Sequence, residues 1–324
     1  MSKNQNISEQ PFASAALVSL AIQSLRNQEP ALLLPDAHEP DYLSDAKTTA
    51  ERKSRIIAYA YDIGGAVPLL EVGRGLGEFL SMPALKVLLN SVNTRVLADK
   101  WVRLEKYHHS THAVAIDHEQ PLSWSCSRHW IGDDCPTDPE NFLICGLQAS
   151  ILRLFGCRDL TGDIGGIQLP SDITSAQPVY PTADTHSWRF RWQASEECHN
   201  GDQTHNENGK IPYSSDAPDE IKKHLTGLFK QDVGRVWKLD ETARSIGRSS
   251  RSLQRDIKSS GHTFSSLVRG TRCREASRLL TDSGMSLSAI GYWCGYSDQA
   301  HFQRDFRRAI NMTPSTYRQV SKQQ

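Results

Sequence analysis

Gln, Arg and Asp follow one another twice near the end of this 324-residue chain, at residues 254 to 256 and again at 303 to 305. An apolar residue stands on each side of both tripeptides: Leu253 and Ile257, then Phe302 and Phe306. Apolar residues at i and i+4 bury one side of a helix, which leaves the Gln and Arg between them free to point outward. A carboxamide offers a donor and an acceptor together, and a guanidinium offers a planar fork of donors. Both side chains suit base edges or phosphate oxygens.

The elements that must hold these side chains also come in two copies, "LDETARSIGRSSRSLQRDI" at 239 to 257 and "LSAIGYWCGYSDQAHFQRDF" at 287 to 306. Aligned on Gly247 and Gly295, they share a leucine eight residues upstream (Leu239, Leu287) and a small residue four upstream (Ala243, Gly291). They also share a serine two downstream, Ser249 and Ser297. The second copy has one extra residue between its serine and its first buried position. The leucine and the small residue belong to the inner face of a short first helix. The glycine accepts the left-handed conformation that ends it. The serine is expected to cap a second helix. This is a helix-turn-helix, whose second helix enters the major groove of DNA. Between the copies, Phe264, Leu267, Val268, Ala276, Leu279 and Leu280 mark one long helix that spaces the two units.

Charge divides the chain. From Asp219 onward there are 19 Lys and Arg against 10 Asp and Glu; the rest holds 18 against 27, and the total is zero. A basic end on a neutral protein points to a polyanionic partner for that part alone. The seam is "HNGDQTHNENGKIPYSSDAP", residues 199 to 218, polar and without apolar period. It reads as a linker between a domain of residues 1–198 and one of 219–324. Ile221, Leu225, Leu228 and Phe229 then open the second domain with a helix carrying one buried stripe.

Two helix-turn-helix units joined by a long helix resemble the DNA-binding domain of the AraC/XylS family of bacterial transcription regulators. The closing stretch "GYSDQAHFQRDFRRAINMTPSTYR" carries the resemblance in Gly295, Tyr296, Ser297, Asp298, Phe302, Arg304, Phe306, Arg307, Arg308, Thr313, Pro314, Tyr317 and Arg318. Gly291 stands where the family usually has Ala, and Asn311 where it usually has Gly; Asn tolerates the left-handed conformation. Outward positions of the first unit are Ser250, Arg251, Gln254, Arg255 and Lys258. The resemblance implies base reading from Arg251, Gln254 and Arg255. In the second unit the candidates are Gln299, Ala300, His301, Gln303 and Arg304, with Arg307 and Arg308 placed for phosphate. Arg304 could instead pair with Asp305 or Asp256, and any of these arginines could be a solvated or packing side chain. The resemblance further implies promoter DNA and RNA polymerase as partners, activation as the mode, a small-molecule effector and a homodimer.

The first domain reads as α+β: helices plus a small sheet, ahead of an all-α C-terminal domain. Residues 47–64 have helical period, 68–110 suggest three further helices, and 141–157 one more. "HAVAIDH", "LSWSCSRHW" and "SWRFRWQ" alternate as strands do. Residues 73–107 are loosely similar to the arabinose-binding type of effector domain, while "TGDIGGIQLPSDITSAQPVYP" departs from it. Trp124, Trp130, Trp188, Phe190 and Trp192 read as core, although a pocket between sheet and helices stays open as a reading.

Other chemistry finds little footing. The seven cysteines, at 126, 135, 145, 157, 198, 273 and 294, form no CxxC and read as reduced, mostly buried thiols. His108, His109, His112 and His118 fall at a helix-to-strand junction, where exposed histidine is ordinary, so no metal or cofactor is expected. "GRGLG" at 73–77 lies in a helical context and is no phosphate loop. A DNA-repair alkyl acceptor would need a reactive Cys in an electropositive setting. An enzyme fused to the DNA-binding part would need a GxSxG, a P-loop or a GxGxxG after a strand, and none occurs. A mean hydropathy of −0.50 and no run of about 20 apolar residues argue against a membrane span. The polar start lacks the pattern of a signal peptide, so the expected location is cytoplasmic.

Overall fold

The computed structural model describes residues 12–37, 46–107, 112–130, 135–170, 177–193 and 218–321. The chain groups into two units, Met1–Leu89 with Trp101–His199, and Asn90–Lys100 with Asn200–Gln324. Of the stretch read as a linker, residues 199 to 217 lie outside the described residues.

The first unit opens with helices α1 (Phe12–Gln28), α2 (Ala46–Gly64), α3 (Val67–Leu70) and α4 (Pro83–Leu89). Helix α5 (Thr94–Lys106) runs through the division of the chain, its residues from Trp101 grouping here. Strands β1 (His112–Asp117) and β2 (Ser123–Trp130), helix α6 (Asp138–Leu154), and strands β3 (Arg158–Ile164), β4 (Ile167–Leu169) and β5 (Ser187–Gln193) follow. The sheet is antiparallel with order β1-β2-β5-β3-β4. On β5 the period of two is strict: Trp188, Phe190 and Trp192 are buried while Ser187, Arg189, Arg191 and Gln193 are exposed. The buried face packs toward α6, where Trp188 Nε1 donates to Gln148 Oε1 at 2.9 Å.

Two strands appear that the pattern of apolar residues did not announce. In "DIGGIQL" the pair Gly165 and Gly166, at φ 58° and 83°, turns β3 into β4, with Ile164 opposite Ile167. A two-residue Gly-Gly turn matches the twist of a hairpin. The stretch from 68 to 107 is also more broken than three helices. Its "GRGLG" forms part of a 3-10 segment, Val72–Phe79, and a Cβ on Gly73 would collide with Ser150 of α6. That glycine serves close packing.

The second unit is helical: α7 (Pro218–Gln231), α8 (Leu239–Ser245), α9 (Ser250–Ser259), α10 (Phe264–Asp282), α11 (Leu287–Trp293), α12 (Gln299–Ile310) and α13 (Pro314–Ser321). Two cores form around α10. Its first half gives Leu267 to a cluster of Ile221, Leu225, Phe229, Ala243, Leu253 and Ile257. Its second half gives Cys273, Ala276, Leu279 and Leu280 to a cluster containing Leu287, Ile290, Tyr296, Phe302 and Phe306. The 19 residues of α10 span roughly 28 Å. Residues Asn90–Lys100 complete this unit. Lys100 Nζ lies 2.8 Å from Asp232 Oδ2 and donates to Asn90 O at 2.7 Å, with both charged side chains almost wholly buried. Tyr292 of α11 donates its hydroxyl to Lys100 O at 3.3 Å.

An α+β part followed by an all-α part with two helix-turn-helix units joined by a long helix is the architecture the sequence pointed to. Among the described residues no helix is long and apolar enough to cross a membrane.

Candidate nucleic-acid interface

Helices α8 and α9, and helices α11 and α12, are built on one local plan. Gly247 and Gly295 both have positive φ, 70° and 79°. The residue after each glycine bonds back to the carbonyl of the small residue: Arg248 N to Ala243 O at 2.8 Å, and Tyr296 N to Gly291 O at 3.1 Å. This six-residue closure ends a helix by satisfying its orphan carbonyls. The second helix of each pair then drops two apolar residues into the core, Leu253 with Ile257 and Phe302 with Phe306, all buried.

The caps differ. Ser249 Oγ accepts from Ser252 N at 3.1 Å, as expected of an N-cap. In the second unit Ser297 is not the cap; Asp298 is, accepting from His301 N at 2.7 Å. The extra residue of the second copy moves the cap position one place along. Ser297 turns its hydroxyl to Asp298 and to His301 Nδ1, at 2.8 and 2.9 Å. Burial works against the charge of Asp298. The bonds from His301 N and Ser297 Oγ, with the charges of His301 and Arg304 nearby, outweigh it and hold the carboxyl below the usual carboxylate range.

The candidate reading residues fall into two groups. Arg251, Gln254, Arg255 and Lys258 are exposed on α9, and Ala300, Gln303, Arg304, Arg307 and Arg308 on α12. Arg255 keeps 79% of its side chain exposed, beside Asp256 at 3.6 Å. The acidic residues named as alternative partners of Arg304 are engaged elsewhere: Asp305 by Arg269 at 3.6 Å, and Asp256 by Arg248 and Arg255. The other group is partly buried and bonded within the unit. Ser250 Oγ donates to Asp240 at 2.5 Å, Gln299 accepts from Ser288 Oγ, and His301 receives Ser297 and meets the Tyr296 ring edge-on at 5.3 Å. Ser250 and Gln299 tie α9 and α12 to the helix before each, and His301 ties α12 to the turn that precedes it.

In the first unit, His112 lies 3.7 Å from Glu140, and His118 Nδ1 is 3.3 Å from the Ile116 carbonyl. His108, His109 and Cys198 lie outside the described residues. Trp124, Trp188, Phe190 and Trp192 are core, as expected, whereas Trp130 is 40% exposed.

A helix-turn-helix domain family matches residues 242–320. The urease operon transcriptional activator of Escherichia coli is 34% identical over 106 residues, 32% of this chain and 36% of that protein. The chain thus spans about a third of that relative's length. A probable transcription factor of Proteus vulgaris, PqrA, is 37% identical over 101 residues, 31% of this chain and 81% of that protein. The chain belongs to the AraC/XylS family. A solved regulator from Chromobacterium violaceum with an AraC-type DNA-binding domain is similar at 27% identity and a TM-score of 0.31, over 32% of this chain and 95% of that one.

Two departures from the usual AraC/XylS pattern are accommodated locally. Asn311, where glycine is usual, adopts φ 60° and ends α12 with its N–H on Arg307 O at 2.8 Å. Gly291, where alanine is usual, is buried in α11 and still closes its turn. Asp298 as the cap was within reach of the sequence, because the one-residue insertion was visible. Lys100 as part of this unit was not, since Asp232 lies 132 residues away.

Proposed function

We propose that the protein is a sequence-specific transcription activator that reads promoter DNA with α9 and α12. The doubled turn geometry carries this reading: two recognition-type helices, each anchored by two buried apolar residues, expose Arg251, Gln254, Arg255 and Lys258 on one and Gln303, Arg304, Arg307 and Arg308 on the other. Arg255 and Arg304 suit base edges, while Lys258, Arg307 and Arg308 suit phosphates. Ser250, Gln299 and His301 contribute by orienting these helices, and their exposed edges lie at the helix N-termini where base contacts concentrate.

In the same reading residues 1–198 bind a small effector and self-associate, residues 199–218 link, and 219–324 bind DNA and touch RNA polymerase beside the promoter. Support for an effector site comes from a trough of about 400 Å³ on the outer face of the sheet. It is lined by Ser125, Thr161, Asp163, Gln168, Arg189 and Arg191, a polar set suited to a small anionic molecule. The activating mode is suggested by the urease operon activator.

Genome-wide mapping of binding sites, paired with transcript levels after deletion, tests the proposal. Discrete sites upstream of genes whose transcripts fall on deletion are expected. An absence of enriched sites would overturn DNA reading, and rising transcripts would overturn activation.

A further inference from the structure

Cys135 is exposed, while Cys126, Cys145, Cys157, Cys273 and Cys294 are buried. Its Sγ lies 3.2 Å from His186 Nε2, and His186 Nδ1 lies 2.5 Å from Asp184 Oδ1. The two segments that bring these residues together are fastened independently of them. Thr185, 1% exposed, donates to Asp138 Oδ1 at 2.5 Å and receives Asn141 Nδ2 at 3.1 Å, both at the start of α6. Arg128 N donates to His186 O at 2.8 Å, and the Trp130 ring lies 5.2 Å from the imidazole. The backbone that carries His186 and Asp184 is therefore fixed beside the start of α6, and the imidazole lies between the thiol and the carboxylate.

The hydrogen-bond partners decide the protonation they favour. Asp184 accepts a proton from Nδ1, and Pro136 O, 3.2 Å from Nε2, can only accept one from that nitrogen. Pro136 O is also within 3.8 Å of Cys135 Sγ, so sulfur, Nε2 and this carbonyl share one proton position, and a proton moved from sulfur to Nε2 keeps both Asp184 and Pro136 O bonded to the ring. The bond from His186 also holds the Asp184 carboxyl below its ordinary range.

We propose that Cys135 is a reactive thiolate, paired with the His186 imidazolium that Asp184 orients, and that it is a site of oxidation by small hydroperoxides. The sulfur attacks the distal peroxide oxygen. An S–O bond forms, the O–O bond breaks, and sulfur gives up two electrons. The leaving oxyanion, hydroxide from hydrogen peroxide or alkoxide from an organic hydroperoxide, takes the Nε2 proton, yielding Cys135 sulfenic acid, water or the alcohol, and neutral His186. A thiolate beside a cation is the reactive form of cysteine, and an exposed sulfur is reached by a peroxide without a binding cleft. This inference is independent of the DNA reading.

The test uses the full chain, with peptide mass spectrometry resolving each cysteine. Hydrogen peroxide with dimedone traps sulfenic acid, and iodoacetamide reports thiolate directly. At about pH 6, Cys135 should react ~10-fold faster than the thiol of glutathione, and His186→Gln and Asp184→Asn should each remove most of that advantage. A dimedone adduct at Cys135 is expected in the parent protein. A parent Cys135 no faster than glutathione would overturn the proposal whatever the variants do. So would an advantage that survives in a folded His186→Gln protein.

Discussion

Arg255 and Arg304 stand at matching places in α9 and α12, the two helices proposed to read DNA, one residue after Gln254 and Gln303. Each is exposed, and neither is locked into a close ion pair. Arg255→Ala and Arg304→Ala should each weaken specific binding by about 1–3 kcal/mol. Gel-shift titration on a mapped promoter measures this, and unchanged affinity in both folded variants would remove the assignment. The two turn glycines have different constraints. At Gly247 only the backbone matters, since a Cβ would meet open space. Gly247→Ala should therefore cost about 1–2 kcal/mol, the penalty of the left-handed conformation. A Cβ on Gly295 would also lie 2.7 Å from Val233 O and 2.9 Å from the Arg272 guanidinium. Overpacking adds about 1–3 kcal/mol, so Gly295→Ala should be clearly the worse in urea melts. Equal losses would show that the Val233 loop yields. The types and spacing of these residues were legible in the sequence; what surrounds them was not, because Val233 and Arg272 approach through tertiary packing.

Helix starts carry the next test. Asp298→Ala should destabilise the second unit by about 1 kcal/mol, and Ser297→Ala by less, because Asp298 holds the orphan amide of His301. With the folded carboxyl below its unfolded value, this contribution is present above about pH 4 and fades as pH falls through the folded value. Thermal melts at neutral pH and near pH 3 check both statements; a Ser297→Ala loss larger than the Asp298→Ala loss would return the cap to the serine. Caps, turns and the long α10 could be read from the chain because they depend on neighbours within a few residues. Strands β1, β2 and β5 were legible for the same reason. Strand β4 has three residues, too few to show a period, and β3 carries Gly162 at an inward position where an apolar side chain would have marked the face. Gly165-Gly166 was the available sign of that hairpin. The grouping of Cys135 with His186 had no local sign at all, being set by how β5 enters beside α6.

Over the whole chain, the basic excess after Asp219 was plain from composition, but the extent of the helical unit was not. Asn90–Lys100 belongs to it, and Lys100 pairs with Asp232 where both side chains are almost wholly buried. Removing one partner of a buried pair leaves an uncompensated charge. Lys100→Met should cost about 3–5 kcal/mol, and adding Asp232→Leu should restore much of it. A single variant within about 1 kcal/mol of the parent in urea melts would show that the pair does not support this unit. A fragment that begins after the 199–218 stretch lacks Lys100, so it should be less stable than the same helices in the full chain. The most direct test of DNA reading is therefore made on the full chain. Fluorescence anisotropy would compare a mapped promoter duplex with a scrambled duplex of equal length, from about 50 to 200 mM salt. The account predicts affinity for the promoter ~10³-fold or more above the scrambled duplex, falling on both as salt rises. Equal affinity for the two duplexes, or none for either at low salt from a folded protein, would contradict it.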